Sequence, residues 1–598
     1  MSLKDLVAPF SVWKRALERP YTDRSPIEHR PGASRYRGFH INDIDRCIGC
    51  GTCESVCQNE AIDLVTVPQK ETRHGDSGLR PEVDYGRCCW CALCVDICPT
   101  GSLGMSNEYI WVDADPEVFR YVPGAEDKPW NDSDKGYRRA AGYDLLEAER
   151  VPMPMLDYTE SRTSFVEMVQ GYSREQAKAE ADRCVACGIC VATCPAHMDV
   201  PAYIDAIRRD DLADGLRIVY EANPLPASCG RVCSHACEYV CALRHKGEAV
   251  SIRWLKRYIV DQIYGGDYDN ILASAAEENG RHVAVIGSGP GGLSAAYYLR
   301  LTGYAVTIYD ANERPGGMLR YGIPEYRLPY DQVDKDIEYI RSLGVEIRQN
   351  TRIGVDISFR EIYDRHDAVF FSTGLSNPYG LDIPGEDLPG VIPGLTILDQ
   401  VTEGTTPDIG SSVVVIGGGN VAMDAARTSR RLGAEVTILY RRREVDMPAD
   451  GEEIEESRGE GCRLVTQAVP IRIQRGEERR LRLVWGHAEM IPDESGGRPR
   501  PQLIPGSEEY TECDTVVPAI GQKADYDFLP REIAERITFT KGMVDVNEFK
   551  QTGDKRIFAG GDIVNRTRDA ISAIANGHSA AKGIDIYLAN FRSRGQHG

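Results

Sequence analysis

The clearest pattern of apolar and polar positions lies in the second half of the chain. "HVAVIGSGPGGLSAAYYLRLTGYAVTIYDA", from His282, opens on an apolar run, turns through glycines and enters a helical stretch. It returns to a second apolar run, "AVTIYD", that ends on Asp310. That order predicts strand, tight turn, helix and parallel strand in one unit of about thirty residues. The order repeats in "SVVVIGGGNVAMDAARTSRRLGAEVTILYRRREVDMPAD". Farther on, "LRLVWGHAEMIPDESGGRPRPQLIPGSEEYTECDTVVPAIG" alternates between turn signals and predicts a β-meander. Segments such as "VPGAEDKPWNDSDKGYRR" and "ERVPMPMLDY" are rich in Pro, Gly and charge and predict an extended surface crossing. The final "FRSRGQHG" is expected to be loose. The longest apolar runs are strand-sized, so no membrane span is expected.

Length and charge narrow the picture. A chain of 598 residues is too long for one core and predicts several domains. With 70 basic and 91 acidic residues the net charge is −21, which argues against nucleic acid as a partner. The opening "MSLKDLVAPFSVWKRALERP" has no apolar core of leader length. It fits a short amphipathic helix docked peripherally on a membrane or a partner, or a plain surface tail. Nineteen cysteines without an export signal point to a reducing compartment, the cytoplasm, and to metal or redox work.

Cysteine spacing then selects the chemistry. Cys47, Cys50, Cys53 and Cys57, and again Cys88, Cys91, Cys94 and Cys98, repeat C-x2-C-x2-C-x3-C, the second copy completed by Pro99. Zinc takes pairs with longer gaps between them, and disulfides do not suit the compartment. Three close cysteines wrap one face of an iron–sulfur cubane while the fourth reaches a second cluster. The spacing therefore predicts crossed ligation: Cys47, Cys50, Cys53 and Cys98 on one [4Fe–4S], and Cys88, Cys91, Cys94 and Cys57 on the other. A third group is Cys184, Cys187, Cys190 and Cys194, followed by Pro195. A fourth is Cys229, Cys233, Cys237 and Cys241, at four-residue intervals. Eight further thiols suffice for two more clusters, about four in all.

These motifs carry two resemblances. Both cysteine copies, the insert "VPQKETRHGDSGLRPEVDYGR" and the following "CPTGSLGMSNEY" resemble the two-cluster ferredoxin subunits of complex I and related membrane hydrogenases. "DRCVACGICVATCPAHMDVPAYI" and "NPLPASCGRVCSHACEYVC" resemble the helical two-cluster domain shared by the glutamate synthase small subunit, the N-terminal part of dihydropyrimidine dehydrogenase and the NADPH-binding subunit of ferredoxin-dependent transhydrogenase. That resemblance implies one cluster on Cys184, Cys187, Cys190 and Cys241, and another on Cys194, Cys233 and Cys237. Its relatives often supply a downstream Glu or Gln as the last ligand, where this chain has Lys256, a poor cluster ligand. Either Cys229 steps in or that cluster is altered.

The glycine loops add nucleotides. Gly287, Gly289 and Gly292 fit G-x-G-x-x-G, with Ser288, Pro290 and Gly291 between them. Such a loop brings backbone to a pyrophosphate at a helix N-terminus, and Asp310 can accept from a ribose hydroxyl. "RPGGMLRYGIPEYRLP", containing Gly317, Met318 and Leu319, resembles the flavin-side segment of the same family. "AVFFSTG", ending on Gly374, and "RIFAGGDIVN", with Gly561 and Asp562, complete the resemblance to a two-dinucleotide flavoprotein. It implies FAD, with Asp562 at its ribityl or phosphate region and a helix from Asp569 aimed at the pyrimidine end. In the second unit Gly417 and Gly419 lead, Asn420 follows, and Ala422 replaces the third glycine. Its second strand ends on Arg441, Arg442 and Arg443 where an acid would bind a bare ribose, so NADP(H) is expected in preference to NAD(H).

The expected fold is multi-domain, α/β and α+β. It comprises a docking tail (1–35), a two-[4Fe–4S] ferredoxin domain (36–110), a connector (111–160) and a helical iron–sulfur domain (161–270). A Rossmann-like flavoprotein follows, with FAD-binding parts at 280–405 and 516–590 around an NADP(H)-binding domain at 411–515. The expected function is an NAD(P)H-linked FAD iron–sulfur oxidoreductase that moves electrons to or from a partner redox protein or catalytic subunit. That partner would be a ferredoxin or a ferredoxin-dependent enzyme, for example a 2-oxoacid:ferredoxin oxidoreductase. The alternatives are a glutamate synthase small subunit and a free-standing NADPH:ferredoxin oxidoreductase. No general acid or base stands out, since cofactors carry the chemistry.

Overall fold

The computed structural model describes residues 32–67, 75–130, 135–140, 148–245, 247–263, 267–477, 480–493 and 497–595. All but the last four residues of the expected docking tail lie outside them. The chain divides into two compact units, 1–149 with 185–189 and 240–249, and the remainder. Among the described residues no helix is long and apolar enough to cross a membrane.

In the first unit β1 (His40–Asn42) pairs antiparallel with β4 (Leu103–Met105). β2 (Ile62–Thr66), β3 (Leu79–Asp84) and β5 (Arg120–Tyr121) form a second antiparallel sheet. Two one-turn helices, α1 (Thr52–Ser55) and α2 (Leu93–Asp96), follow Gly51 (φ 75°) and Ala92 (φ 68°). Both residues occupy the same place in the repeated cysteine motif and both are left-handed, so the motif dictates the turn even where no glycine relieves it. The stretch expected as an extended connector contributes β5 and, through Trp111, Phe119, Tyr121 and Trp130, packs into the core with Phe39 and Tyr85. Phe39 stacks on Trp130 at 4.7 Å between ring centres.

The second unit begins with helices. α3 (Arg174–Asp182) starts at a capping box between Ser173 and Gln176. α4 (Val200–Arg208), α5 (Leu212–Ala222), α6 (Pro226–Val232) and α7 (Ile252–Gln262) follow. A side chain at Gly230 would meet the Arg257 Cα at 2.9 Å, so α6 and α7 approach closely there.

The half expected to hold the flavin is built on a parallel sheet ordered β17-β9-β6-β7-β8. Its strands are β6 (His282–Ile286), β7 (Ala305–Tyr309), β8 (Glu346–Arg348), β9 (Ala368–Phe371) and β17 (Ile557–Ala559). Val283, Val285, Phe370 and Phe371 are wholly buried, as expected of strands covered on both faces. α8 (Pro290–Leu301) links β6 to β7, and α12 (Ala570–Gly595) lies against α8. A side chain at Gly577 would meet the Gly291 carbonyl at 2.3 Å. The C-terminal residues expected to be loose thus continue α12 as far as Gly595.

A second parallel sheet, ordered β12-β11-β10-β16, is inserted between the flavin-side pieces. It consists of β10 (Ser412–Ile416), β11 (Glu435–Tyr440), β12 (Arg463–Thr466) and β16 (Thr515–Pro518). α10 (Asn420–Arg431) joins β10 to β11, and α11 (Gly451–Gly459) precedes β12. The predicted meander is the antiparallel sheet β13 (Ala468–Arg475), β14 (Leu481–Ile491), β15 (Arg500–Cys513).

Two sets of charged contacts fasten these parts. α9 (Tyr330–Ser342) of the flavin half carries Lys335 and Asp336. Asp336 accepts from the Ala227 and Ser228 N–H groups at 3.1 and 2.8 Å, capping α6 from outside. Lys335 donates to the Val260 and Ile263 carbonyls at 2.7 Å, finishing the end of α7. Arg327, beyond the flavin-side segment's Tyr326, takes Asp424 of α10 in two 2.7 Å bonds and Glu453 of α11 at 2.6 Å. Beside it the wholly buried Arg427 pairs with Glu453, Glu456 and Glu460.

Candidate cofactor sites

In the first unit Cys47, Cys50, Cys53 and Cys98 line one cavity, together with Gly49, Gly51, Leu64 and Pro99. Burial pushes the Cys53 thiol well up. Against burial, the Ser102 hydroxyl, the Leu103 N–H and the Thr100 hydroxyl hold Cys98 below its usual range. Cys88, Cys91, Cys94 and Cys57 form a second neighbourhood. Burial pushes Cys88 up to about 11 and Cys94 up to about 12. Such thiols stay neutral unless a metal holds them, which is the chemistry expected of cluster ligands. The Ala61 and Trp90 N–H groups point at the Cys57 and Cys88 sulfurs at 3.3 and 3.4 Å. His40 Nε2 lies 3.3 Å from the Cys94 sulfur.

In the second unit Lys256 on α7 is buried within electrostatic reach of Cys233, Cys229, Cys194 and Cys237. Cys229 is wholly buried on α6, one turn before Cys233. The Tyr203 hydroxyl is buried beside Cys237, Cys190 and Cys194 and donates to the Ile252 carbonyl at 3.1 Å. Cys184 and Cys190 belong to this unit, Cys187 and Cys241 to the first.

The flavin-side loop leaves β6 at Gly287 (φ 97°). A side chain there would strike the Ser372 carbonyl at 2.6 Å, and one at Gly292 the Gly287 carbonyl at 1.9 Å. Among the described residues nothing beyond its chain neighbours lies within 4 Å of where a side chain at Gly289 would go, an open cradle that backbone would share with a pyrophosphate. Ser288 donates through N–H and hydroxyl to Asp310 Oδ2 at 2.7 and 2.5 Å, so Asp310 braces the loop it faces. Pro290 and Gly291 open α8. Gly317 (φ 54°) would meet the Gly289 Cα at 2.8 Å and caps the turn holding Met318 and Leu319. Gly374 (φ 66°) faces open space, and Gly561 (φ 72°) packs on the Ser372 hydroxyl. Burial, and Asp569 nearby, push the Asp562 carboxyl up to about 6.

Two residues here escaped the sequence analysis. Ser372 stands under two of the loop's glycine positions, Gly287 and Gly291, and under Gly561. The Thr373 hydroxyl is buried with no partner among the described residues, as a donor awaiting a bound flavin nucleotide would be. Both belong to "FSTG", so the strand-end motif could have flagged them. A third contact joins cluster and flavin regions: Ser234, next to Cys233, donates to Asp569 Oδ2 at 3.1 Å. Asp569 also caps α12 by accepting from the Ser572 N–H at 2.8 Å.

At the second loop, Gly417 (φ 154°) would strike the Ala519 carbonyl at 2.3 Å, and Gly419 is open to within 3.8 Å. Asn420 accepts from the Asp450 N–H at 2.9 Å. Of the three arginines after β11, Arg443 is committed to Asp446 at 2.9 Å and Arg442 donates to the Pro499 carbonyl at 2.8 Å. Partial burial and the like charges of Arg442 and Arg498 hold Arg441 below the usual guanidinium range. Clustered like charges of this kind suit a phosphate. Arg498, 56 residues beyond Arg442 (498 − 442), was not legible from spacing.

Family models match the segments that carry these residues. The pyridine nucleotide-disulphide oxidoreductase model matches residues 281–577. The model for dihydropyrimidine dehydrogenase domain II, 4Fe-4S cluster, matches 161–267, and the 4Fe-4S dicluster domain matches 46–102. The NADP(+)-dependent formate dehydrogenase subunit beta of Moorella thermoacetica is 34% identical over 92% of this chain and 79% of its own length. The NADPH-Fe(3+) oxidoreductase subunit beta of Geobacter sulfurreducens is 37% identical over 67% of this chain, which spans 63% of that relative. The glutamate synthase [NADPH] small chain of Escherichia coli is 33% identical over 75% of this chain and 98% of its own length.

Proposed function

Because the chain belongs to the family of NADP-linked FAD and iron–sulfur oxidoreductases that contains the glutamate synthase small chains, we propose that it exchanges electrons between NADP(H) and a partner protein through four clusters. Bound FAD supplies the conversion between two-electron hydride and the single electrons that [4Fe–4S] clusters carry. The chain's own residues hold and align these groups. Gly287, Gly289 and Gly292 admit the FAD pyrophosphate, and Asp310 fixes their loop. Asp562, Gly561 and Gly374 border the rest of the flavin. Gly417, Gly419 and Asn420 open α10 to the pyridine nucleotide, and Arg441, Arg442 and Arg498 select its 2′-phosphate. Cysteines serve in four sets: Cys47, Cys50, Cys53, Cys98; Cys57, Cys88, Cys91, Cys94; Cys184, Cys187, Cys190, Cys241; and Cys194, Cys229, Cys233, Cys237.

The observation that carries this reading is the Ser234–Asp569 hydrogen bond, which ties a cysteine-bearing loop to the head of the helix at the flavin. Anaerobic titration of the purified chain with NADPH tests it. The flavin absorbance should bleach and cluster signals should appear, on a protein holding about sixteen iron atoms in four cubanes and one FAD. Bleached flavin beside oxidised clusters that a stronger reductant then reduces would refute it.

Nucleotide choice gives a separate expectation. Losing a charge-assisted hydrogen bond costs about 1.5–3 kcal/mol, roughly 10- to 150-fold in binding. Arg441→Ala with Arg442→Ala should raise KM for NADPH by a factor in that range and leave KM for NADH nearly unchanged. Equal effects on both would remove the phosphate assignment.

The relatives named as beta subunits favour a chain that works inside a larger assembly, facing NADP(H) while a separate catalytic subunit or ferredoxin-linked enzyme, for example a 2-oxoacid:ferredoxin oxidoreductase, handles the other substrate. The formate dehydrogenase relative aligns over 92% of the chain and the glutamate synthase small chain over 75%, which favours the former architecture. Co-purification with a large glutamine-binding chain would instead support the glutamate synthase role.

A further inference from the structure

α7 presents three cations in five residues, Arg253, Lys256 and Arg257, all buried. The two arginines have carboxylate partners: Arg253 pairs with Glu452, and Arg257 with Glu167 and Asp261. Lys256 is only 4% exposed, and among the described residues no carboxylate lies within ion-pair distance of it. The charges that act on it most are the sulfurs of Cys233, Cys229, Cys194 and Cys237, and the buried Cys229 lies on α6 beside Gly230, where α6 closes on Arg257 of α7. A buried ammonium costs several kcal/mol unless a counter-charge compensates. Four neutral thiols cannot supply that charge, whereas four thiolates around a cluster can. Beside them the Nδ2 of the buried Asn223 has no acceptor at hydrogen-bond geometry and lies against Cys229, a second donor directed at sulfur.

We propose that Lys256 is a built-in counter-cation for the cluster held by Cys194, Cys229, Cys233 and Cys237, raising that cluster's reduction potential instead of ligating it. The inference rests on the assignment of those cysteines as ligands. Cluster potentials follow local net charge, and a compact ammonium at the sulfur shell favours the reduced, more negative state. With Ser234 bonded to Asp569, the same cluster borders the flavin region, so Lys256 makes it a ready acceptor of the first electron.

Redox titration of the full holoprotein, followed by electron paramagnetic resonance, tests this with Lys256→Met and Lys256→Arg. Iron and FAD are counted first. About sixteen iron atoms in the parent would sustain the ligand assignment, and fewer by one cluster would defeat that assignment separately. In Lys256→Met, one cluster should become at least tenfold harder to reduce at fixed potential, about 59 mV for a one-electron couple. The other clusters should not move, and Lys256→Arg should match the parent. The proposal is overturned if Lys256→Met leaves every midpoint in place. It is equally overturned if Lys256→Met and Lys256→Arg both lose one cluster's iron, since that would make Lys256 a ligand or a space-filler.

Discussion

Gly289→Ala is expected to leave the fold intact and yet strip the protein of FAD. Among the described residues nothing beyond its chain neighbours lies within 4 Å of the added methyl, and Gly289 has an ordinary extended backbone (φ −71°) that alanine can adopt. Any loss therefore reports the approach of the cofactor itself. Crowding of this kind costs about 1–3 kcal/mol, roughly 5- to 150-fold in affinity. Gly292→Ala gives the contrast. Its methyl would meet the Gly287 carbonyl at 1.9 Å, backbone against backbone, so the start of α8 must move and stability falls along with FAD. The measurement is the FAD-to-protein ratio after desalting, beside the thermal midpoint and the iron content. If Gly289→Ala retained FAD at parental affinity, the pyrophosphate would not lie where the loop suggests.

Arg427→Met should be the most destabilising single change in the nucleotide-binding half. Arg427 and Glu460 are wholly inaccessible, and the same guanidinium serves Glu453 at 2.6 Å and Glu456 at 2.7 Å. Its plane lies over the Tyr326 ring at 4.9 Å, with Arg431 on the same ring at 3.5 Å. Removing one member of a buried ionic set leaves the others charged and unpaired, a cost of about 3–5 kcal/mol. An exposed pair is a fair control: Arg531 and Glu535 are 91% and 64% exposed, and Arg531→Ala should change stability by less than about 1 kcal/mol. Calorimetry of the two variants separates them. Equal unfolding midpoints would show that the network contributes nothing. The same contacts join the Tyr326–Arg327 segment to α10 and α11, so loosening them should also slow hydride exchange with NADPH.

What was legible in the sequence was what is local in the fold. The cysteine triplets and glycine loops each lie within about a dozen residues, and their spacing reflects one turn or one cluster face. The parallel strands were legible because burial on both faces leaves a run of apolar residues without gaps. Contacts between remote segments left no such trace. Ser234 and Asp569 are 335 residues apart. Trp111 and Trp130 fall in a stretch whose prolines and charges read as a linker, because composition averages over the few aromatic side chains that reach the core. Arg498 joins Arg441 from the far side of β14, at a distance no motif encodes. Lys256 read only as a residue unsuited to ligation, since its meaning depends on which four sulfurs converge on it.

The caps on α6 and α7 bear on how the protein comes to be made. The first turn of α6 is completed by Asp336, 109 residues downstream of Ala227, and the last turn of α7 by the adjacent Lys335. On the ribosome, Cys229 of α6 emerges long before either cap exists. The first turn of α6 and the last turn of α7 are therefore completed only once the flavin half has been made, so the two helices reach their final form late in synthesis.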